Sequence, residues 1–441
     1  MRKLRHILLS AGGMNALSSV LAVVLGLFAG FIILLISNPS QAVYGFVTIL
    51  TGGALSMRSL GQVLTLATPI ILTGLSVGFA GKTGLFNIGA TGQFTFGMFG
   101  SILTAVKLAT VLPGPLLLIS ALLAGVLAGA LWGLIPGMLK ALRNVHEVIS
   151  CIMMNYIGVY LVNFLIREWG LNDTTRNSTL RVPGNSELPK LGLDTFFSES
   201  TSRGHVLTSS VGSGILIAIL VCIIFYIVLE KTKFGYELKA CGFNHEAARY
   251  AGINEKKGVM LSMVIAGGLA GLGGALVALS GTGRGIDIVD MLAAEGFQGI
   301  PVALLGLFNP IGIIFSGFLI AYFKESGFIL QLTYPREIVD IIVAVIIYFS
   351  ALALLLKGLV QFVFRERKRK RDDPGGDNHT NDADSGGAGL GDTGLGGTGG
   401  LGGTVLDNAD SDNDGLSNAG ITETGFGDAG SSTLGGAENG S

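Results

Sequence analysis

Three short constellations in this 441-residue chain suggest known chemistry, and none of them is read as carrying it. Gly81-Lys82-Thr83 mimics the end of a phosphate-binding loop. Such a loop needs a glycine five residues before Gly81, so that backbone N–H groups can wrap the phosphates, and Ser76 stands there. His146-Glu147 is the one acid–base pair beside an apolar run, and anchoring at a membrane face suits it better than catalysis. Asp410-x-Asp412-x-Asp414-Gly415 has the rhythm of a calcium loop, but the twelfth place, which should carry a bidentate acid, is Ile421. The cysteines, Cys151, Cys222 and Cys241, have neither CxxC spacing nor adjacent histidines, so neither a disulfide framework nor a zinc site is indicated. No metal, cofactor or enzymatic step is expected.

What remains is a set of uncharged amides in apolar surroundings. Asn87 and Gln93 lie in GKTGLFNIGATGQF (81–94), with Gly84, Gly89 and Gly92 between and around them. At membrane depth, irregular backbone and amides are tolerated only inside protein or along a wet path, so Asn87 and Gln93 are expected to line the route of a polar solute. For Gly89 and Gly92, close helix crossing is an equal reading. Six residues apart on one continuous helix, the two amides would point about 120° apart, so a break near Gly89 is expected. Asn155, in the run HEVISCIMMNYIGVYLVNFLI, either joins that route or makes an interhelical hydrogen bond of about 1 kcal/mol.

These residues must be held by membrane helices. Apolar runs of about 20 residues, enough to cross a hydrocarbon core of about 30 Å, recur through the first 360 residues. The spans expected are 18–36, 60–80, 88–110, 115–138, 147–167, 211–230, 258–280, 297–308, 311–323 and 337–356. The chain is therefore read as all-α, a polytopic transmembrane bundle of about ten spans with broken helices. The break in 297–323 falls at Asn309-Pro310, where proline removes a donor and disfavours helix at the residue before it. Residues 43–57 are apolar but long enough only for a half-span or an interfacial helix. Gly267, Gly271 and Ala275 recur every four residues and offer one face to a close helix neighbour.

The near-neutral total charge hides two parts. All 29 Lys and Arg fall at or before Arg371, while 13 of the 30 acids follow it, leaving residues 1–371 with a net charge of +12. Residues 1–364 are read as the membrane domain, and 365–441 as the basic cluster RERKRKR followed by a disordered acidic Gly/Asp-rich tail. Basic residues gather before the first span, after the fourth, between the sixth and seventh and after the last, which with ten spans places both termini in the cytoplasm. The polar stretch 167–210 falls on the outer side with mixed charge; it either receives a delivery protein or is an ordinary outer loop.

The segment 231–257 on the inner side has its own logic. Asn244 is a good N-cap, Glu246 favours the positive end of a helix dipole and Gly252 suits the stop. The helix between is about 10 Å long, too short to persist without a partner. This stretch, GYELKACGFNHEAARYAGI, resembles the coupling loop of ABC-importer permeases of the nucleoside and simple-sugar group, matching at Gly235, Ala240, Gly242, Asn244, Ala247, Ala248, Gly252 and Ile253. GLFNIGATGQ, MMNYIG and GFQGIPVALLGLFNPIG resemble motifs of the same family, with Thr91 where Glu is common and Pro301 where Ala is usual.

The resemblance implies a cell-membrane permease subunit working with cytoplasmic ABC ATPase subunits, a second similar permease and an extracytoplasmic solute-binding lipoprotein. It implies contact with membrane lipid and none with nucleic-acid polymers. The implied solute is a nucleoside, the alternative a simple sugar such as ribose or galactose. An ion-coupled secondary transporter would place charge mid-span, and these spans are nearly free of it. Gly242, Asn244, Glu246, Ala247, Ala248 and Gly252 are expected to couple to the ATPase, with Ala248 facing a groove there; on that view Ala248→Arg leaves the protein inserted but uncoupled.

Overall fold

The computed structural model describes residues 11–200, 205–352 and 358. The chain divides into Met1–Gly376 and Asp377–Ser441. The second unit, with its calcium-like pattern, lies outside the described residues, as do the basic residues 2–5 and 365–371.

Among the described residues seven helices are long and apolar enough to cross a membrane, and every one of the ten expected spans has a helix. They are α1 (Ala11–Ser37), α3 (Met57–Lys82), α4 (Ala90–Lys107), α5 (Gly114–Arg143), α6 (Glu147–Glu168), α7 (Gly214–Lys231), α10 (Glu255–Ala278), α11 (Ala294–Leu305), α12 (Pro310–Leu330) and α13 (Arg336–Ala351). The short α2 (Ala42–Thr51) occupies the apolar stretch that was too brief to span. Between α7 and α10 come α8 (Lys233–Phe243) and α9 (His245–Tyr250).

Helix α3 is the axis of the fold. Every residue from Ala67 to Ala80 is buried, although Pro69 interrupts its hydrogen bonding. Small residues let its neighbours approach: Gly74 lies under Val302 of α11, and Gly317 of α12 sits against Ile71. The stripe expected on α10 is used in the same way. Gly267 meets Gly129 and Gly133 of α5, Gly271 meets Gly97 of α4 and Gly125 and Gly129 of α5, and Ala275 lies against Gly125. Backbone contacts backbone there, which is how apolar helices gain van der Waals energy when lipid offers no hydrophobic driving force.

The break at Asn309-Pro310 is present. Helix α11 stops at Leu305, Leu307 and Phe308 adopt left-handed backbone, and the Asn309 side chain accepts from the N–H groups of Ile311 (2.9 Å) and Gly312 (3.4 Å) to start α12 with Pro310 in its first turn. At 12 residues, α11 is about 18 Å long. It is therefore a half-crossing rather than a full span, and Pro301 lies inside it without ending it.

The excursion between α6 and α7 is structured. It carries two antiparallel pairs, Asn172–Asp173 with Ser178–Thr179 and Ser198–Ser200 with Val206–Thr208. It is also stitched to the loop after α10: the Leu188 N–H donates to Leu279 O (2.7 Å), and that of Thr179 to Ile286 O (3.0 Å). It thus caps one end of the bundle, and α8 and α9 lie at the other end of α3.

Candidate translocation and coupling sites

The turn from α3 to α4, residues 83–89, is where Asn87 and Gln93 come together. The Asn87 amide donates to Gln93 Oε1 (2.8 Å) while the Gln93 amide donates to Asn87 Oδ1 (3.1 Å), a reciprocal pair possible only because the helix is interrupted between them. Asn87 Nδ2 also donates to Ser76 Oγ (3.0 Å), and Ser76 donates to Ala266 O (2.6 Å) on α10. Asn155 splints the same break from α6: its Oδ1 accepts from Gly92 N–H (2.9 Å) and its Nδ2 donates to Ile88 O (3.0 Å).

The two glycines of this segment make room for the network itself. A methyl group at Gly89 would lie 3.2 Å from Asn87 Oδ1, and one at Gly92 would lie 3.0 Å from Asn155 Oδ1. All three amides are buried with their hydrogen bonds made, Asn87 and Gln93 to each other and Asn155 to the backbone of Gly92 and Ile88. Thr91 is buried with Gly296 pressed on it, so the acid common in the resembled motif has no room unless Gly296 moves. Asn163 is held apart from this network, donating to Val289 O (3.1 Å) and Asp290 Oδ1 (3.2 Å).

The residues of the coupling segment fold as their types dictate. Asn244 Oδ1 accepts from Ala247 N–H (3.1 Å), and Gly252, at φ +78°, takes the left-handed stop as Ile253 N–H closes on Ala248 O (3.0 Å). Glu246 and Ala247 are exposed. Ala248 is the exception: it is 4% exposed and faces the chain itself, which corrects the expectation that it fills a partner's groove. Beside it the large exposed side chains are Phe243 and Tyr250, 89% and 91% exposed.

Gly242 also turns inward. A methyl group there would lie 2.7 Å from Gly84 N, and one at Gly84, which has φ +77°, would lie 2.9 Å from Gly242 Cα. The end of α8 thus bears, backbone on backbone, on the turn that leads to Asn87. Next to it, Thr83 and Ser262 of α10 share a 2.5 Å hydroxyl contact. Burial pushes the Cys241 thiol above its ordinary value, with Glu255 and Glu237 adding to the effect, so little thiolate forms at neutral pH.

The decoys resolve simply. Lys82 ends a helix rather than following a strand, and lines an apolar cavity of about 810 Å³ between α1, α7, α11 and α12. Glu147 pairs with Lys140 at 2.9 Å, and His146 Nδ1 caps α6 by accepting from Val148 N–H (3.4 Å).

A charged group sits where α11 begins. Glu295 lies in the first turn of α11 with its side chain 16% exposed and bonded to Arg284 at 2.7 Å. Lys324, one residue past the end expected for its span, lies inside α12 and donates to Gln298 Oε1 (3.0 Å). Its mark in the sequence is the pair Lys324-Glu325 directly after the apolar run 311–323.

The comparisons with known proteins bear on this arrangement. Residues 59–351 match the family described as the branched-chain amino acid transport system permease component. The chain belongs to that family.

The permease is 35% identical over 360 residues to the guanosine ABC transporter permease protein NupP of Bacillus subtilis, covering 81% of this chain and 97% of that one. It is 35% identical over 350 residues to the nucleoside ABC transporter permease protein NupB of Lactococcus lactis, covering 78% and 92%. It is 31% identical over 339 residues to the glucose ABC transporter permease protein TsgB13 of Haloferax volcanii, covering 75% and 85%. No solved structure matches. The matched span runs from α3 to α13 and includes the amide break and the coupling segment.

Proposed function

We propose that this permease forms the membrane path for nucleoside uptake in an ABC importer of the cell membrane, with both termini in the cytoplasm. The observation that carries the solute class is the 35% identity, over 97% of its length, to a permease named for guanosine. Its partners on this reading are a pair of cytoplasmic ATPase subunits, a second similar permease and an extracytoplasmic solute-binding lipoprotein. The chain itself performs no chemical step; hydrolysis belongs to the ATPase. The exposed face of α8–α9, with Glu246, Ala247, Phe243 and Tyr250, meets the ATPase, while Asn244 and Gly252 shape that face and Gly242 and Ala248 join it to the body.

The amides serve the solute only once their mutual bonds part. Asn87, Gln93 and Asn155 offer donors and acceptors to hydroxyls or base edges without the desolvation cost of a full charge. In the closed state Asn87 and Gln93 satisfy each other and Asn155 is satisfied by the backbone of Gly92 and Ile88, which seals the path and avoids leaving polar groups orphaned.

The identity to a glucose permease supports a second reading, a simple sugar. Proteoliposomes holding the complete importer separate the two. ATP-dependent accumulation of labelled guanosine, with no competition by a hundredfold excess of ribose, galactose or glucose, is the outcome expected. Accumulation of a sugar or of leucine without nucleoside uptake would overturn the proposal.

A further inference from the structure

Arg284, Glu295, Gln298 and Lys324 form a charged cluster inside a bundle that is otherwise almost uncharged at this depth. The depth follows from α3. Thr73 Oγ1 donates to Glu295 O (3.0 Å), and Gly299 packs on the Thr73 carbonyl, so Glu295 starts α11 beside the middle of α3, about 24 Å along it from Met57 at 1.5 Å per residue. Lys324 is about 21 Å along α12 from Pro310 by the same measure, towards the end capped by the excursion. Ionisable side chains at such depth are costly, and where they persist they mark a path or a ligand.

A structural ion pair would need only Arg284 and Glu295. The cluster goes further: it brings in a second cation, Lys324, which donates a hydrogen bond to the neutral oxygen of Gln298. Between these groups is a cavity of about 60 Å³, bordered by Arg284, Glu295 and Lys324 and by the hydroxyl residues Thr68, Ser280 and Thr282. One carboxylate acceptor, two cationic donors and several hydroxyls are what a neutral polyhydroxyl solute requires, since a carboxylate can take both hydroxyls of a vicinal diol while the cations meet ring or base acceptors.

The space is room for about four to six waters, at about 10–15 Å³ of water-centre space each, so a nucleoside does not fit while the cluster is closed. The group in its place is the Arg284 guanidinium, which sits on a loop and is 54% exposed. We propose that Glu295 and Lys324 are a solute station on the excursion side of the membrane, where the vicinal diol of the solute replaces Arg284 on the Glu295 carboxylate. This rests on the nucleoside reading above for the solute's identity, but the diol chemistry is shared by a free pentose.

The test uses the complete importer in proteoliposomes, with the delivery protein saturated by each solute so that capture does not limit. Uptake of guanosine is compared with that of 2′,3′-dideoxyguanosine in the parent, in Glu295→Gln and in the charge-balanced Glu295→Gln/Arg284→Gln pair, which guards against misfolding through an unpaired arginine. The parent should favour the diol-bearing solute by roughly tenfold or more, the worth of one good hydrogen-bonding group, and both variants should bring the ratio close to one. An equal fall for both solutes, or an unchanged ratio, would show that the cluster only braces α11 against α12 and the loop. A parent that carries ribose and no nucleoside defeats the nucleoside reading alone. The same ratio, measured then with ribose and 2,3-dideoxyribose, still decides the station.

Discussion

At the scale of single residues, the amide network makes a prediction that packing alone would not. Asn87→Leu and Gln93→Leu should each reduce uptake strongly in vesicles, leave solute binding by the delivery protein unchanged, and outweigh Asn163→Leu, which touches only the loop at 289–290. Each also orphans its partner amide, at about 1–3 kcal/mol of stability, so abundance in the membrane must be measured beside transport. Parental uptake with normal assembly would leave these amides as braces of the break. The sequence made the residues and the interruption near Gly89 visible, because two amides six apart have no other way to meet. It did not show that Ser76 and Asn155 complete the network, since those contacts join elements that only the fold brings together.

At the scale of elements, the short α9 sets two kinds of substitution apart. Ala248→Arg forces a long charged side chain into a 4% exposed position; overpacking costs about 1–3 kcal/mol or more, so lowered abundance is the expected outcome. Phe243→Ala and Tyr250→Ala remove only exposed rings. They should preserve abundance and abolish solute-stimulated ATP hydrolysis in the reconstituted complex; full stimulation in both would remove these aromatics from the ATPase contact. The cap and stop of α9 were legible, because Asn244 and Gly252 act through their own backbone. Which face of two turns points outward was not, because small side chains suit either a partner's groove or a tight fit at home. The half-length of α11 was hidden for a related reason: an apolar run shows where a helix can lie, but not how far the preceding loop descends before it starts.

At the scale of the whole molecule, truncation after Arg371 removes 13 acids and leaves every described helix untouched. Uptake should persist; loss of transport at normal abundance would make residues 372–441 regulatory or structural. The larger consequence lies where Gly242 bears on Gly84. Two backbones this close resist being pressed together far more steeply than they resist being drawn apart, since repulsion rises faster than dispersion falls away. A displacement of the end of α8 towards the turn would therefore be felt at Gly84, close in sequence to Asn87, whereas a displacement away from it would be opposed only by the weak attraction of the contact and by the hydroxyl tie between Thr83 and Ser262.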